Sequence, residues 1–519
     1  MMDDLLMHAP ALLIALPLLG AFLTPLIDRV NSKARSAWVI LVLIVTQVIM
    51  MMFAWDVFTQ GTHIYTMGAA DPATTIPVQA AVPVRIVLEV DGMSAFMGLI
   101  SCTVALAAAV YSLSSMNRES GQGRFFTLLL LMTVGMLGLE FTGDMFNLFV
   151  FLEILSIASA GLIAFQFYRG ESVEGAFKYI VISTLAALMV LFSIGLFYGQ
   201  YNVLNLAALA NALEFGFLDK LALGLLVAAF AMKCGAVPMH MWKPDAYQAA
   251  SAPVAALLVA GGQAGIYALF RVCFTLYGAT LDASLIGILL VALGLLSIFV
   301  GVTMALLQVD LKRLIGYAAV AEVGYILLGV GVGLYEMAKE QISDFGVQAL
   351  QGGVFHVFND ALDVGLLFLV AGAVIYATRE SNMNKLGGLA HSMKYSSIFF
   401  LIGLAAVSGL PPLNGFASKL LIYESVFRLS PILSIVAILA SILMLAIFVK
   451  IFHAVFMGPR LSVTPERDVP RSMLLGMAIL AAAIIFIGLF PDWMLNNVVQ
   501  PAAQALLDQA GYIGSVGGV

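Results

Sequence analysis

Charge is scarce in this sequence: only 10% of its 519 residues are Asp, Glu, Lys or Arg, against 62% that are hydrophobic. One soluble core has too little interior for that much apolar surface, so the composition excludes a soluble globular protein and points to an integral membrane protein. Cysteine is scarcer still. Cys102, Cys234 and Cys273 lie in apolar runs without CxxC spacing, which leaves no disulfide framework and no ligand set for zinc or an iron–sulfur cluster. They are expected to be small packing residues. No short apolar stretch near the N-terminus gives way to a soluble composition, so no secretory signal is expected. A Gly-rich phosphate loop after a strand, a metal-spaced His/Cys cluster and a nucleophile with partners are all missing, so no active site, cofactor or metal of the chain's own is expected. With a net charge of -6, no nucleic-acid partner is expected either.

What is present is a succession of apolar runs of about 20 residues, the length that crosses a bilayer. Cutting at polar and Gly/Pro clusters gives an all-α fold of fourteen spans, centred near residues 18, 48, 102, 132, 155, 187, 230, 265, 295, 323, 362, 410, 444 and 482. The N-terminus carries Asp3 and Asp4 and no Lys or Arg before Arg29. With that end outside, sixteen of the 24 cations, Lys243 and Arg118 among them, fall in cytoplasmic connections. Five, including Arg85 and Arg271, fall on the other side. This is the cytoplasmic excess of positive charge that orients membrane proteins, and it puts both termini outside a cytoplasmic (inner) membrane. The longest external connection, about residues 59 to 91, contains VPVRIVLEVDG, whose alternation and closing Asp-Gly suggest a short surface hairpin.

Lys233, Lys419 and Lys450 remain within spans, as do several carboxylates. A charge at the centre of a spanning helix costs roughly 2.5–3.5 kcal/mol on insertion scales, so such groups are expected to face partners or water. Glu153, in GDMFNLFVFLEILSIASAG, sits near mid-depth. Lys233 precedes a stretch broken by Pro238, Pro244 and Pro253, and Lys419 follows the Gly and Pro of GLPPLNGF. Proline within a span frees backbone carbonyls, tolerated where the break lines a cavity or is packed by protein. Two broken helices with a lysine each, in matching places of two halves, are a pointer to inverted repeats with a site at the midplane. On that matching Glu153 corresponds to Glu322 and Lys233 to Lys419. His240, seven residues after Lys233, suits a relay or a structural hydrogen bond equally. In HVFNDALDVG, His356, Asn359, Asp360 and Asp363 fall at i, i+3, i+4 and i+7, a polar stripe on one helix face at membrane depth. Lys450, near the end of its span, suits either the relay or snorkelling to the cytoplasmic surface.

Four stretches, TGDMFNLFVFLEILSIAS, KCGAVPMHMWKPDAYQAASAP, DLKRLIGYAAVAEVGYILLG and GLPPLNGFASKLL, resemble the antiporter-like family. That family is shared by the D component of Mrp-type sodium/proton antiporters, membrane-bound hydrogenases and the pumping subunits of respiratory complex I. The resemblance runs from about residue 90 to 455. It implies fourteen helices with two inverted five-helix repeats and broken seventh and twelfth helices. The divisions would be helices one to three (1–115), a first repeat (116–278), a second repeat (279–458) and a fourteenth helix with tail (459–519). It places the family's fifth-helix glutamate on Glu153, its seventh-helix lysine on Lys233 and its twelfth-helix charged residue on Lys419. It also implies partners: other membrane subunits of one complex, in the lipid bilayer, with protons or sodium ions as cargo. The sequence departs from the family pattern at Gln263, where an eighth-helix lysine is usual, at Glu322, where His or Gln is common, and near Asp363, where Lys or His is common. Carboxylates with an amide are ligands that a hard cation such as sodium prefers. The expectation is a proton- or sodium-translocating subunit of a multi-subunit complex, either a cation/proton antiporter or the membrane arm of a redox complex. The alternatives are a scaffolding subunit that translocates nothing and a stand-alone solute transporter.

Overall fold

The computed structural model describes residues 2–69, 86–117, 119–278, 283–339, 342–461 and 464–516. Arg85, Arg118 and the first half of the VPVRIV segment lie outside them.

The apolar runs fold as helices. In chain order these are α1 (Met2–Val30), α2 (Ser32–Gln60), α3 (Gly92–Ser115), α4 (Gln122–Phe141), α5 (Met145–Ile163) and α6 (Gly170–Tyr201). They continue as α7 (Leu206–Ala212), α8 (Phe217–Cys234), α9 (Trp242–Ala249), α10 (Ala252–Phe270), α11 (Ala283–Leu306), α12 (Leu311–Met337) and α13 (Asp344–Thr378). The last are α14 (Lys394–Val407), α15 (Asn414–Leu429), α16 (Pro431–Phe452), α17 (Arg471–Leu489) and the short α18 (Pro491–Met494), α19 (Gln500–Leu507) and α20 (Gln509–Ser515). Among the described residues twelve helices are long and apolar enough to cross a membrane. The expected seventh and twelfth spans are each two shorter helices, α8 with α9 and α14 with α15, parted at the predicted Gly/Pro clusters.

Burial ranks the helices. The most apolar stretch of α12 is wholly buried, whereas only 33% of the corresponding stretches of α1 and α16 is. α12 packs between α11 and α13 at the centre, so protein rather than lipid surrounds any charge it carries. The outer helices show large apolar side chains instead, for example Phe192, Leu285 and Ile442.

Short polar residues start the helices whose register matters. Asp144 accepts a hydrogen bond from the Asn147 backbone N–H (2.8 Å) to cap α5, and Asp310 one from that of Arg313 (2.9 Å) to cap α12. Each cap satisfies an otherwise orphaned donor. Each capping Asp also sits in an isolated antiparallel bridge to an asparagine, Asp144 with Asn205 and Asp310 with Asn382. The same device therefore opens both helices that carry the central glutamates.

Two expectations are corrected here. The hairpin exists, as β1 (His63–Thr66) antiparallel to β2 (Val87–Val90). The Asp-Gly after it is not a turn: Asp91 caps α3 by accepting from the Ser94 N–H at 3.0 Å. Arg271 is not in an external connection. It is 1% exposed, donates to Asp91, and lies 5.0 Å from the Tyr512 ring of α20. A guanidinium holding that many partners ties α3 to the C-terminal helices instead of marking a topological side.

Candidate functional site

The second half contains a closed set of charges. Glu322, on the buried α12, accepts from Lys419 Nζ at 3.0 Å through Oε1 and lies 2.8 Å from His356 Nε2 through Oε2. All three are within about 1% of full burial. Lys419 also donates to the Val407 carbonyl at 2.7 Å and sits 4.4 Å above the Tyr325 ring. That carbonyl, at the end of α14, is released by the break, and the lysine satisfies it.

The chain of contacts continues along α13. His356 Nδ1 meets the Ser418 hydroxyl at 2.9 Å, and Asn359 donates to the same hydroxyl at 2.8 Å. Asn414 donates to Asn359 Oδ1 at 3.0 Å and to Asp363 Oδ1 at 2.9 Å. Lys419, Glu322, His356, Ser418, Asn359, Asn414 and Asp363 thus form one hydrogen-bonded line inside the membrane region. Gly415 allows it: a Cβ there would stand 2.0 Å from the Ala406 carbonyl oxygen and 3.4 Å from Asp363. The expected stripe is real but divides. His356, Asn359 and Asp363 turn to α15, while Asp360 turns to α10 and accepts from Gln263.

The first half has the same kinds of groups in an open arrangement. Glu153, partly buried on α5, leaves Oε1 without a hydrogen-bond partner among the described residues. Lys233, 8% exposed at the end of α8, donates to the Ser156 hydroxyl at 2.6 Å and lies 5.8 Å from the Tyr179 ring. Among the described residues no direct bond joins it to Glu153. Ser156 is one turn from Glu153 and takes its place. Beside Lys233 is a cavity of about 10 Å³ whose lining includes Ser159 and Tyr179, close to the least volume that holds one water.

The remaining candidates fall outside these two groups. His240 is buried in the turn between α8 and α9, with Nδ1 unpartnered among the described residues and its ring 6.4 Å from that of Tyr317. The left-handed Gly235 (φ 77°) ends α8 before it, so it shares no helix face with Lys233. Lys450 is exposed on α16, apart from both groups, which fits snorkelling.

Lys243 corrects one placement read from sequence. It is no connecting-loop cation: it is 2% exposed, and Nζ donates to the Cys234 carbonyl at 3.0 Å and the Ala319 carbonyl at 3.3 Å. The neighbouring Asp245, paired with Lys178 and Arg313 at 2.7 and 3.1 Å, marks the rim where the connection begins. Ser156, Ser418 and Asn414 were also missed. Asn414 stands inside GLPPLNGF and Ser156 at i+3 from Glu153, and that spacing is the signal that points to them.

Comparison with known proteins follows the same line. Residues 142–445 match the family described as NADH:quinone oxidoreductase/Mrp antiporter, TM, and residues 76–126 match one described as NADH-Ubiquinone oxidoreductase (complex I), chain 5 N-terminus. An NADH-quinone oxidoreductase subunit of Desulforudis audaxviator is 34% identical over 81% of this chain and 85% of its own. A Na(+)/H(+) antiporter subunit of Bacillus subtilis is 28% identical over 97% of this chain and 98% of its own. A chain in the membrane-bound sulfane sulfur reductase, an archaeal respiratory membrane complex, superposes with a TM-score of 0.84 at 27% identity, covering 98% of this chain and all of that one.

Proposed function

The chain belongs to the NADH:quinone oxidoreductase/Mrp antiporter membrane family, and from that premise we propose that it moves protons through the membrane by two charge switches, Glu153 with Lys233 and Glu322 with Lys419. It is an antiporter-like subunit of a multi-subunit membrane complex. The observation that carries the switch is the contrast between Lys419, bonded to Glu322 at 3.0 Å, and Lys233, bonded to Ser156 at 2.6 Å instead of Glu153.

A buried carboxylate is driven towards its neutral form by lost solvation and towards its anion by a nearby cation. When the lysine approaches, the glutamate gives up its proton. When the lysine withdraws, the carboxylate takes one up. Serine supplies the withdrawn position in the first half, where Ser156 accepts the ammonium. In the second half His356, beside Glu322, is the group that can take up the released proton, while Asn359 and Asn414 hold Ser418 and Asp363 in line with it. A subunit that only scaffolds its neighbours has no use for a carboxylate with an unpaired oxygen at membrane depth. In this reading both termini face the outside of an inner membrane, the orientation favoured by the positive charge of the opposite connections.

The test is ion flux by the intact complex in membrane vesicles, followed with a pH-sensitive dye with and without sodium, at equal assembly. Glu153→Gln and Lys233→Ala each abolish flux if the switch operates. Near-normal flux in either defeats the assignment, and loss only of the sodium-dependent part makes sodium the coupling ion.

A further inference from the structure

The two broken helices carry a correspondence that the charges in the sequence conceal. In both, a left-handed glycine ends the first segment, Gly235 (φ 77°) after α8 and Gly409 (φ 70°) after α14. In both, a lysine on the second segment reaches back over that glycine: a Cβ on Gly235 would stand 2.7 Å from Lys243 Cδ, and one on Gly409 3.1 Å from Lys419 Cδ. Both lysines donate to the carbonyl that the break frees, Lys243 to Cys234 at 3.0 Å and Lys419 to Val407 at 2.7 Å. Lys233 has another place, before its break. By position in the fold, the counterpart of Lys419 is Lys243.

The surroundings of Lys243 set its task. Cys234, whose carbonyl it holds, directly follows Lys233. Ala319, its other acceptor, precedes Glu322 by one turn of α12. Asp360, the carboxylate whose charge attracts it, is one turn from His356. Asp360 has a donor on Oδ2, Gln263, while Oδ1 has no hydrogen-bond partner among the described residues although the side chain is 1% exposed. Lys243 is therefore a buried cation that holds backbone next to Lys233 on one side and one turn from Glu322 on the other, and Asp360 is a buried carboxylate with one oxygen unpartnered among the described residues.

Extending the proposed switches, we infer that Lys243 is the proton-carrying link between the halves, with Asp360 as its acceptor and Gln263 holding Asp360 in place. The step converts the Lys243 ammonium and the Asp360 carboxylate into an amine and a carboxylic acid, with no change in total charge. Lys243 regains a proton from the Lys233 side, and Asp360 passes its own to the Glu322–His356 side. Gln263 is then a positioning residue, and the link departs from α10 to the broken helix beside it.

The experiment compares Lys243→Met, Lys243→Arg, Asp360→Asn and Glu153→Gln in the intact complex, with proton flux normalised to assembled complex. An arginine retains the charge and the carbonyl contacts but does not give up its proton at working pH. Lys243→Arg is expected to assemble and to lose about a hundredfold in flux, the lower end of what a positioned proton donor supplies. Lys243→Met falls equally far, and adding Asp360→Asn to it costs nothing further because both remove one link. Wild-type flux in Lys243→Arg, or flux in either lysine variant that falls only in proportion to assembly, overturns the inference. Should Lys243→Met not assemble, Lys243→Arg decides alone. Wild-type flux in Glu153→Gln instead overturns the switch mechanism beneath it, so the two failures are distinct.

Discussion

The two halves of the molecule hold like charges in unlike states. In the second half Glu322 is saturated by Lys419 and His356, and the contacts run on without a gap to Asp363. In the first half Glu153 has an oxygen without a hydrogen-bond partner among the described residues, and Lys233 is held by a serine. Composition does not cause the difference, since each half has a glutamate on a capped helix and a lysine beside a break. Its origin is the side of the break on which the lysine stands and the presence of an alternative partner within reach. One design shown both closed and open in one chain is the pattern expected of halves that alternate, because a bistable element needs two satisfied positions for its moving charge.

That comparison is broken most forcefully in the closed half. Removing one partner of a buried pair strands the other charge, at a cost of roughly 3–5 kcal/mol, so Lys419→Met should lower the melting temperature of the assembled complex markedly. Glu153→Gln, which removes no direct ion pair, should stop flux and leave melting nearly unchanged. Equal melting shifts would erase the distinction between open and closed. The next effect is at Ser156. A hydrogen bond to a charged group contributes about 1.5–3 kcal/mol, and Ser156→Ala removes the open position of Lys233. Turnover should fall about tenfold as the first pair stays closed, and unchanged turnover would show that the serine is a bystander.

The smallest effect comes from a carboxylate outside both pairs. Glu89 of β2 is pushed up to about 8, chiefly by burial, against the opposing hydrogen bond from Ser515 and the charge of Arg271. Because its folded value lies above the ordinary 4.5, the stability it contributes is full below that value and is lost as pH rises towards 8. The melting temperature of the complex should therefore fall more steeply over that window than that of Glu89→Gln. Parallel slopes would count against a neutral Glu89.

Much of this was legible in the sequence because a charge inside an apolar run is conspicuous. Glu153, Lys233, Glu322 and Lys419 stand out by hydropathy alone, and the breaks by Gly and Pro. Pairings were not legible, since a choice between Ser156 and Glu153 as the partner of Lys233 depends on where one side chain turns. Lys243 was hidden by its setting: between Trp242 and Pro244, after the break at Gly235 and Pro238, it reads as part of a connection. Arg271 was hidden likewise, because its partner Asp91 is 180 residues away. Ser418 and Asn414 carry no charge to betray them, though they complete the line to Asp363.

The central claim is that the halves exchange states. Its most direct measurement is a cryo-electron microscopy structure of the complete complex during turnover, sorted into classes at a resolution that shows lysine side chains. The account predicts classes in which Lys233 has moved from Ser156 to Glu153 while Lys419 has withdrawn from Glu322. Finding Lys233 on Ser156 and Lys419 on Glu322 in every class would contradict it.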